Sequence, residues 1–154
     1  MSTEFSGIER RLDELSDRLA RLQPLTDKTR GDFEGDPYLR DIVERNLEIA
    51  AQCCLDIAHR IISLERARKP VDYYDAILRL GELGVLPPEF ALRLAPLAGF
   101  RNILVHEYVQ VEWDEVYRNL HHLDDLERFA ELVRAWMRKR LADAGPGSAR
   151  DDMA

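Results

Sequence analysis

Long apolar runs are missing from this chain of 154 residues, and no segment approaches the ~18–20 consecutive apolar residues of a membrane-spanning helix. The first seven residues contain neither a basic nor an apolar stretch, so we expect no secretory signal. The chain also lacks a Gly-rich phosphate-binding loop, which argues against ATP hydrolysis by the chain alone. We therefore expect a cytoplasmic protein with no membrane association.

Cysteine is scarce, and the two cysteines, Cys53 and Cys54, are adjacent. Neighbouring side chains on a helix point about 100° apart, so this pair is not expected to form a disulfide. Two adjacent thiols also make a poor zinc site. The sequence thus predicts a protein without a metal ion or cofactor.

Basic residues are outnumbered by acidic ones, 22 Lys and Arg against 29 Asp and Glu, which gives a net charge of −7. This balance disfavours loose, charge-driven binding to nucleic acid, which is itself a polyanion. It does not exclude a compact binding site. A function on nucleic acid must therefore rest on particular residues and not on overall charge.

Apolar residues recur at helical spacing along almost the whole chain, which predicts an all-α fold, an antiparallel bundle of about five helices. Pro96 is expected to kink or split the fourth helix, because proline removes a backbone hydrogen bond. The predicted helices cover approximately residues 4–22, 37–66, 72–83, 88–106 and 113–141.

The length fits one domain, which we assign to residues 1–143. Residues 144–154 contain Gly, Pro, Ser and charged residues with nothing to bury, and are predicted to be a disordered tail. Residues 108–111 are β-like but too short to build a sheet. The first helix has a heptad-like apolar stripe that is a candidate packing or dimer surface, formed by Ile8, Leu12, Leu15, Leu19 and Leu22.

Side chains suited to phosphate chemistry cluster at the end of the fourth predicted helix. Arg101 and Tyr108 share one helix face, and Asn102 and His106 lie four residues apart on the adjacent face. The arginine fork matches phosphate oxygens, and histidine exchanges a proton near neutral pH. The set suits metal-independent cleavage of a phosphodiester next to a ribose 2′-hydroxyl. Because Arg-x4-His spacing also arises by chance, a capped helix end with a packed histidine is the alternative interpretation.

The stretch RNILVHEY at residues 101–108 resembles the Arg-x4-His-x-Tyr signature of the HepT-like toxins, which belong to the HEPN superfamily of helical nucleases. The similarity extends over about residues 5–140. Residues 44–58 look like the long second helix of that family, and residues 72–86 look like its middle segment.

This resemblance implies a metal-independent ribonuclease toxin that works as a homodimer, with the motifs of two subunits facing a shared cleft that takes RNA. It implies that Arg101 stabilises the scissile phosphate, that His106 is the acid–base group and that Asn102 supports their geometry. It also implies that a nucleotidyltransferase antitoxin adenylylates Tyr108. The added bulk and negative charge would keep RNA out of the site.

The second predicted helix carries the polar residues Asn46, Asp56 and Arg60 in or beside its apolar stripe, and buried polar groups need partners. Two interpretations are open. Asp56 and Arg60 pair with each other at i, i+4, or one of them reaches the cleft to orient His106 or bind phosphate.

Other histidines and aromatic residues have simpler explanations. His59 is predicted to be solvated, and the adjacent His121 and His122 are predicted to be surface residues and not metal ligands. The large aromatic residues are predicted to anchor the core or an interface, namely Tyr73, Tyr74, Trp113 and Trp136.

Two functions compete with the nuclease. The first is a non-catalytic HEPN module that binds a nucleotide or a partner protein in the same cleft. The second is a helical scaffold in which Arg101 and His106 are only structural.

Overall fold

The computed structural model describes residues 3–105 and 113–144, and within those ranges the secondary structure is entirely helical. The predicted fold class is therefore confirmed. The β-like stretch and nearly all of the predicted tail lie outside the described residues. The helices are α1 Ser6–Leu22, α2 Arg30–Glu34, α3 Pro37–Leu64, α4 Tyr73–Glu82, α5 Pro88–Leu94, α6 Leu97–Val105, α7 Trp113–Leu120 and α8 Leu123–Asp143.

The central element is α3, whose 28 residues span about 42 Å. It begins where the sequence predicts, because the Asp36 carboxylate caps it by accepting hydrogen bonds from the backbone N–H groups of Tyr38 (3.1 Å) and Leu39 (3.2 Å). α1, α4 and α6 pack along it, and α2, α7 and α8 also contact it. α3 therefore joins the elements that carry the candidate site.

The apolar stripe of α1 is a packing surface within this chain. All five of its residues, from Ile8 to Leu22, are at most 5% exposed, and α1 lies along α3. The stripe thus belongs to the core and gives no support for a dimer.

The number of helices is larger than predicted. Pro96 splits the fourth predicted helix into α5 and α6, as expected. The fifth is also split, which was not predicted: the N–H groups of His121 and His122 bond to carbonyls three residues earlier, at Arg118 and Asn119, and this tight turn separates α7 from α8.

The short helix α2 was also missed, because Gly31 and Gly35 favour a loop. A reciprocal capping box between Thr29 and Asp32 begins the helix. The side chain of Phe33 is fully buried, and its ring centroid lies 5.1 Å from the ring centroid of Trp113. Tertiary burial of one aromatic ring thus stabilises a helix that local propensity does not favour.

The two thiols are free and buried. Burial raises the pKa of Cys53 to about 11 and holds the pKa of Cys54 well above its ordinary value of 9.0. Both thiols are therefore protonated at neutral pH and are poor nucleophiles. No described helix combines the length and apolar character needed to cross a bilayer.

Candidate functional site

The candidate site begins on the last turns of α6, which carry Arg101 and Asn102. Pro96 separates α6 from α5, and the buried Ala98 and Phe100 anchor α6 in the core. Arg101 is half-buried and Asn102 is exposed. The other two motif residues, His106 and Tyr108, lie outside the described residues, so the roles predicted for them stay predictions.

The guanidinium of Arg101 is held on two edges and one face. Its Nε donates to Oε1 of Gln52 on α3 at 2.5 Å, and its Nη1 donates to Oδ1 of Asn102 at 3.1 Å. The Tyr73 ring of α4 lies under the guanidinium, with 5.5 Å from Cζ to the ring centroid. Side chains from α3 and α4 therefore hold this cation from outside its own helix, and its neighbour Asn102 adds a third contact.

The hydrogen bonds continue from Arg101 across α3 to α1. Gln52 Nε2 donates to Oδ1 of Asp56 at 2.7 Å. The second carboxylate oxygen of Asp56 lies 3.5 Å from Nε of Arg11. We call this row, made of Arg101, Gln52, Asp56 and Arg11, the polar relay. It connects α6 to α1 through side chains that are one helical turn apart on α3.

The predicted pairing of Asp56 with Arg60 is not found among the described contacts. Asp56 is engaged by Arg11 and Gln52, which links it to Arg101. Arg60 is exposed, and its Nε lies 4.0 Å from the position that a Cβ on Gly7 would occupy, so it points along the start of α1. Their predicted supporting roles at the cleft stay predictions.

The predicted solvation of His59 is wrong. His59 is half-buried, and its ring packs edge-on against Tyr73 with 5.0 Å between centroids. Its Nδ1 lies 3.1 Å from the carbonyl oxygen of Leu55. A carbonyl only accepts, so the hydrogen is assigned to Nδ1. His59 thus supports the ring on which Arg101 rests.

His121 and His122 are exposed, as predicted. The ring of His121 is anchored at the surface by the carbonyl oxygen of Tyr117, 2.8 Å from Nδ1. Within residues 3–105 and 113–144, no group of three His, Cys, Asp or Glu side chains is arranged to hold a metal ion.

Three arginine side chains lie near the candidate site in an acidic protein. Arg11, Arg60 and Arg101 lie along the same side of α3 as the carboxylate of Asp56. Arginine forks bind phosphate oxygens bidentately. Locally concentrated guanidinium groups therefore suit an anionic ligand, although the whole chain carries a charge of −7.

Sequence reasoning missed two members of the polar relay, Gln52 and Arg11, and the support that Tyr73 gives to Arg101. One signal was present: Gln52, Asp56 and His59 recur at i, i+4 and i+7, which places them on one face of α3. No local signal identifies Arg11 or Tyr73, because their roles depend on how α1 and α4 pack against α3.

Comparison with known families and proteins gives matches that cover most of the chain. Residues 15–133 match the family described as "Ribonuclease HepT-like". A tRNA nuclease HepT from Aphanizomenon flos-aquae is 32% identical over 110 residues, which is 71% of this chain and 75% of that protein. An mRNA nuclease HepT from Shewanella oneidensis is 31% identical over 104 residues, 67% of this chain and 78% of that protein.

A solved structure has a similar fold. It contains a tri-AMPylated HEPN toxin from Shewanella oneidensis in complex with an MNT antitoxin. The TM-score is 0.76 at 26% sequence identity, and the match covers 88% of this chain and 99% of the toxin. The similarity therefore extends over nearly the whole of that toxin.

Proposed function

This chain belongs to the HepT-like ribonuclease family, and we propose on that premise that it is the toxin of a toxin–antitoxin pair and cleaves RNA as an endoribonuclease. Two relatives named as RNA nucleases, each more than 30% identical to it, support this proposal. The structural observation that carries it is the guanidinium of Arg101, held at the end of α6 by Gln52, Asn102 and Tyr73.

Arg101 binds the scissile phosphate in the proposed reaction. A guanidinium has five N–H groups. In the described part of the chain, Gln52 and Asn102 accept from one N–H each, so the remaining N–H groups can serve phosphate oxygens. A cation that is already positioned stabilises the charge that develops on the phosphate without reorganising during the reaction.

His106 is the proposed acid–base group. It takes the proton of the ribose 2′-hydroxyl, and the 2′-oxygen attacks the adjacent phosphorus. The bond from phosphorus to the 5′-oxygen breaks, and His106 passes its proton on to this leaving oxygen. The products are an RNA end with a 2′,3′-cyclic phosphate and an RNA that begins with a 5′-hydroxyl. No step needs a metal ion or a cofactor.

A nucleotidyltransferase antitoxin is the proposed regulator. It transfers AMP from ATP to the hydroxyl of Tyr108, two residues after His106, and pyrophosphate leaves; the new phosphate repels RNA. The AMPylated toxin found in complex with its antitoxin among the structural neighbours supports this proposal. We further propose a homodimer whose two motifs face one RNA-binding cleft, acting in the cytoplasm where RNA is translated.

Cleavage by the purified full-length chain tests this function, with total tRNA and an mRNA transcript as substrates. We expect Arg101→Ala and His106→Ala to abolish cleavage, because each removes a reacting group. Matched controls are Arg21→Ala and His122→Ala, which remove the same groups from exposed positions and are expected to leave the rate unchanged. Excess EDTA is expected to have no effect.

Wild-type rates of cleavage by His106→Ala, or complete loss of cleavage in EDTA, would contradict the mechanism. An inert wild-type chain that binds a nucleotidyltransferase tightly would instead identify a non-catalytic module.

A second experiment tests the regulation: Tyr108→Phe is expected to stay active in the presence of antitoxin and ATP. Tyr38→Phe, at an 81% exposed position, is the control that should still be inactivated.

A further inference from the structure

We propose that Gln52 is a positioning residue for Arg101, and that the ion pair between Asp56 and Arg11 holds Gln52 in its working orientation. This inference rests on the proposed function. It assigns to α1 and α3 a part in catalysis that the motif on residues 101–108 does not contain.

The orientation of the Gln52 amide is set by charge. Its Oε1 faces the cation, 2.5 Å from Nε of Arg101, and its Nε2 faces the anion, 2.7 Å from Oδ1 of Asp56. Reversing the amide would place N–H against N–H on one side and oxygen against oxygen on the other. A single orientation of Gln52 therefore satisfies both neighbours.

Gln52 supplies a restraint that the other contacts of Arg101 do not. The Tyr73 ring limits how far the guanidinium tilts, but a ring face leaves it able to turn in its own plane. Asn102 is adjacent in sequence and exposed, so it moves with Arg101. Gln52 lies on another helix and fixes the Nε edge from outside. The direction of the remaining N–H groups is thus set by α3.

A neutral amide at position 52 suits the task of orienting the guanidinium of Arg101. A carboxylate at position 52 would also accept from Nε, but it would cancel the charge of Arg101 and compete with phosphate. It would also lie beside the carboxylate of Asp56. Gln52 orients the guanidinium and leaves its charge available to the substrate.

Arg11 completes the arrangement from α1. Its Nε lies 3.5 Å from Oδ2 of Asp56, and the side chains of the two residues are 41% and 37% exposed. This pairing offsets the negative charge of Asp56 next to the site. It also keeps the other carboxylate oxygen turned toward Gln52.

The test is a kinetic comparison of Gln52→Met, which keeps the length of the side chain and removes both hydrogen bonds, with wild type. We expect kcat to fall about 10- to 100-fold, because small misplacements of a catalytic group have effects of this size. KM and the melting temperature are expected to change little, the latter within about 3 °C. Gln23→Met, at an exposed position, is the matched control and should have wild-type kinetics.

Two further variants separate positioning from a structural role. Gln52→Glu keeps an acceptor for Arg101 and is expected to raise KM, because it neutralises the guanidinium. In an Arg101→Lys background, which lacks Nε, Gln52→Met should lower the remaining activity less than threefold. An unchanged kcat in Gln52→Met, or an equal loss with and without Arg101, overturns the inference.

A spectroscopic readout distinguishes this inference from the proposed function. The arginine Nε–H signal that disappears in Arg101→Lys should exchange slowly with solvent in wild type and rapidly in Gln52→Met. Slow exchange in an inert wild-type chain would refute the nuclease and support the positioning contact. Cleavage by wild type with rapid exchange of this signal would refute the contact and support the nuclease.

Discussion

Single residues in the core depend on partners from other helices. Asn46 of α3 is 7% exposed, yet both ends of its amide are bonded: Oδ1 accepts from Nη1 of Arg18 on α1 at 3.1 Å, and Nδ2 donates to the carbonyl of Ile42 at 2.8 Å. The sequence indicates that Asn46 needs a partner. It does not indicate Arg18, which also pairs with Glu14 on its own helix.

Arg18→Ala is expected to lower the free energy of unfolding by about 1–3 kcal/mol, because it leaves the buried Oδ1 of Asn46 without a partner. Arg21→Ala is the matched control. It removes an exposed ion pair of the same spacing on the same helix, with Asp17, and should cost about 0.5 kcal/mol or less. Urea denaturation measures both, and equal losses would show that the contact with Asn46 does not contribute.

At the scale of secondary-structure elements, the helices α4 and α5 pack closely against each other at Gly81. A Cβ on Gly81 of α4 would lie 3.1 Å from the Cβ of Ala91 on α5 and 3.4 Å from the Cα of Pro88. Neither atom can rotate away, because both are attached directly to the backbone of α5. Glycine at position 81 therefore sets the distance between the two helices.

Gly81→Ala is expected to destabilise the protein by about 1 kcal/mol, because the clash outweighs the better helix propensity of alanine. Gly99→Ala on α6 makes the same change where no described atom lies within 4 Å, and should stabilise the protein by about 0.5 kcal/mol. Thermal unfolding followed by circular dichroism distinguishes them. A stabilised Gly81→Ala would mean that α4 and α5 separate at little cost.

Element boundaries were predictable where a local cap or a proline determines them. Asp36 and Asp72 both cap helices through backbone N–H groups, and Pro96 separates α5 from α6. The break between α7 and α8 has no glycine or proline, and its apolar spacing is nearly continuous, so periodicity alone predicts one helix. α2 was missed for the opposite reason, since its stability comes from burial of Phe33 by distant residues.

At the scale of the whole molecule, the candidate site was predictable only in its local part. Arg101 and Asn102 stand in a recognisable motif on one helix. Gln52 is 49 positions away from Arg101, and no spacing rule joins residues on different helices. The polar relay requires the packing of α1 against α3 and of α3 against α6. The relative positions of these helices are set by how their apolar residues pack together in the core.

The proposed dimer is also a property of the whole molecule. Light scattering coupled to size-exclusion chromatography is expected to give twice the chain mass of 17.8 kDa at micromolar concentration. Because the apolar stripe of α1 is buried within the chain, substitutions such as Leu15→Ala are expected to lower stability and leave the measured mass unchanged. A mass of one chain would refute the shared cleft.

The match to the family begins at residue 15, whereas α1 begins at Ser6. Ile8 and Leu12, which precede residue 15, are at most 2% exposed, and Arg11 pairs with Asp56. A chain trimmed to the matched region would lack Ile8 and Leu12 and would expose the apolar surface that they cover, which favours aggregation. Expression for crystallisation or assay should therefore keep the first two turns of α1, because residues that precede the matched range contribute to the core and to the polar relay.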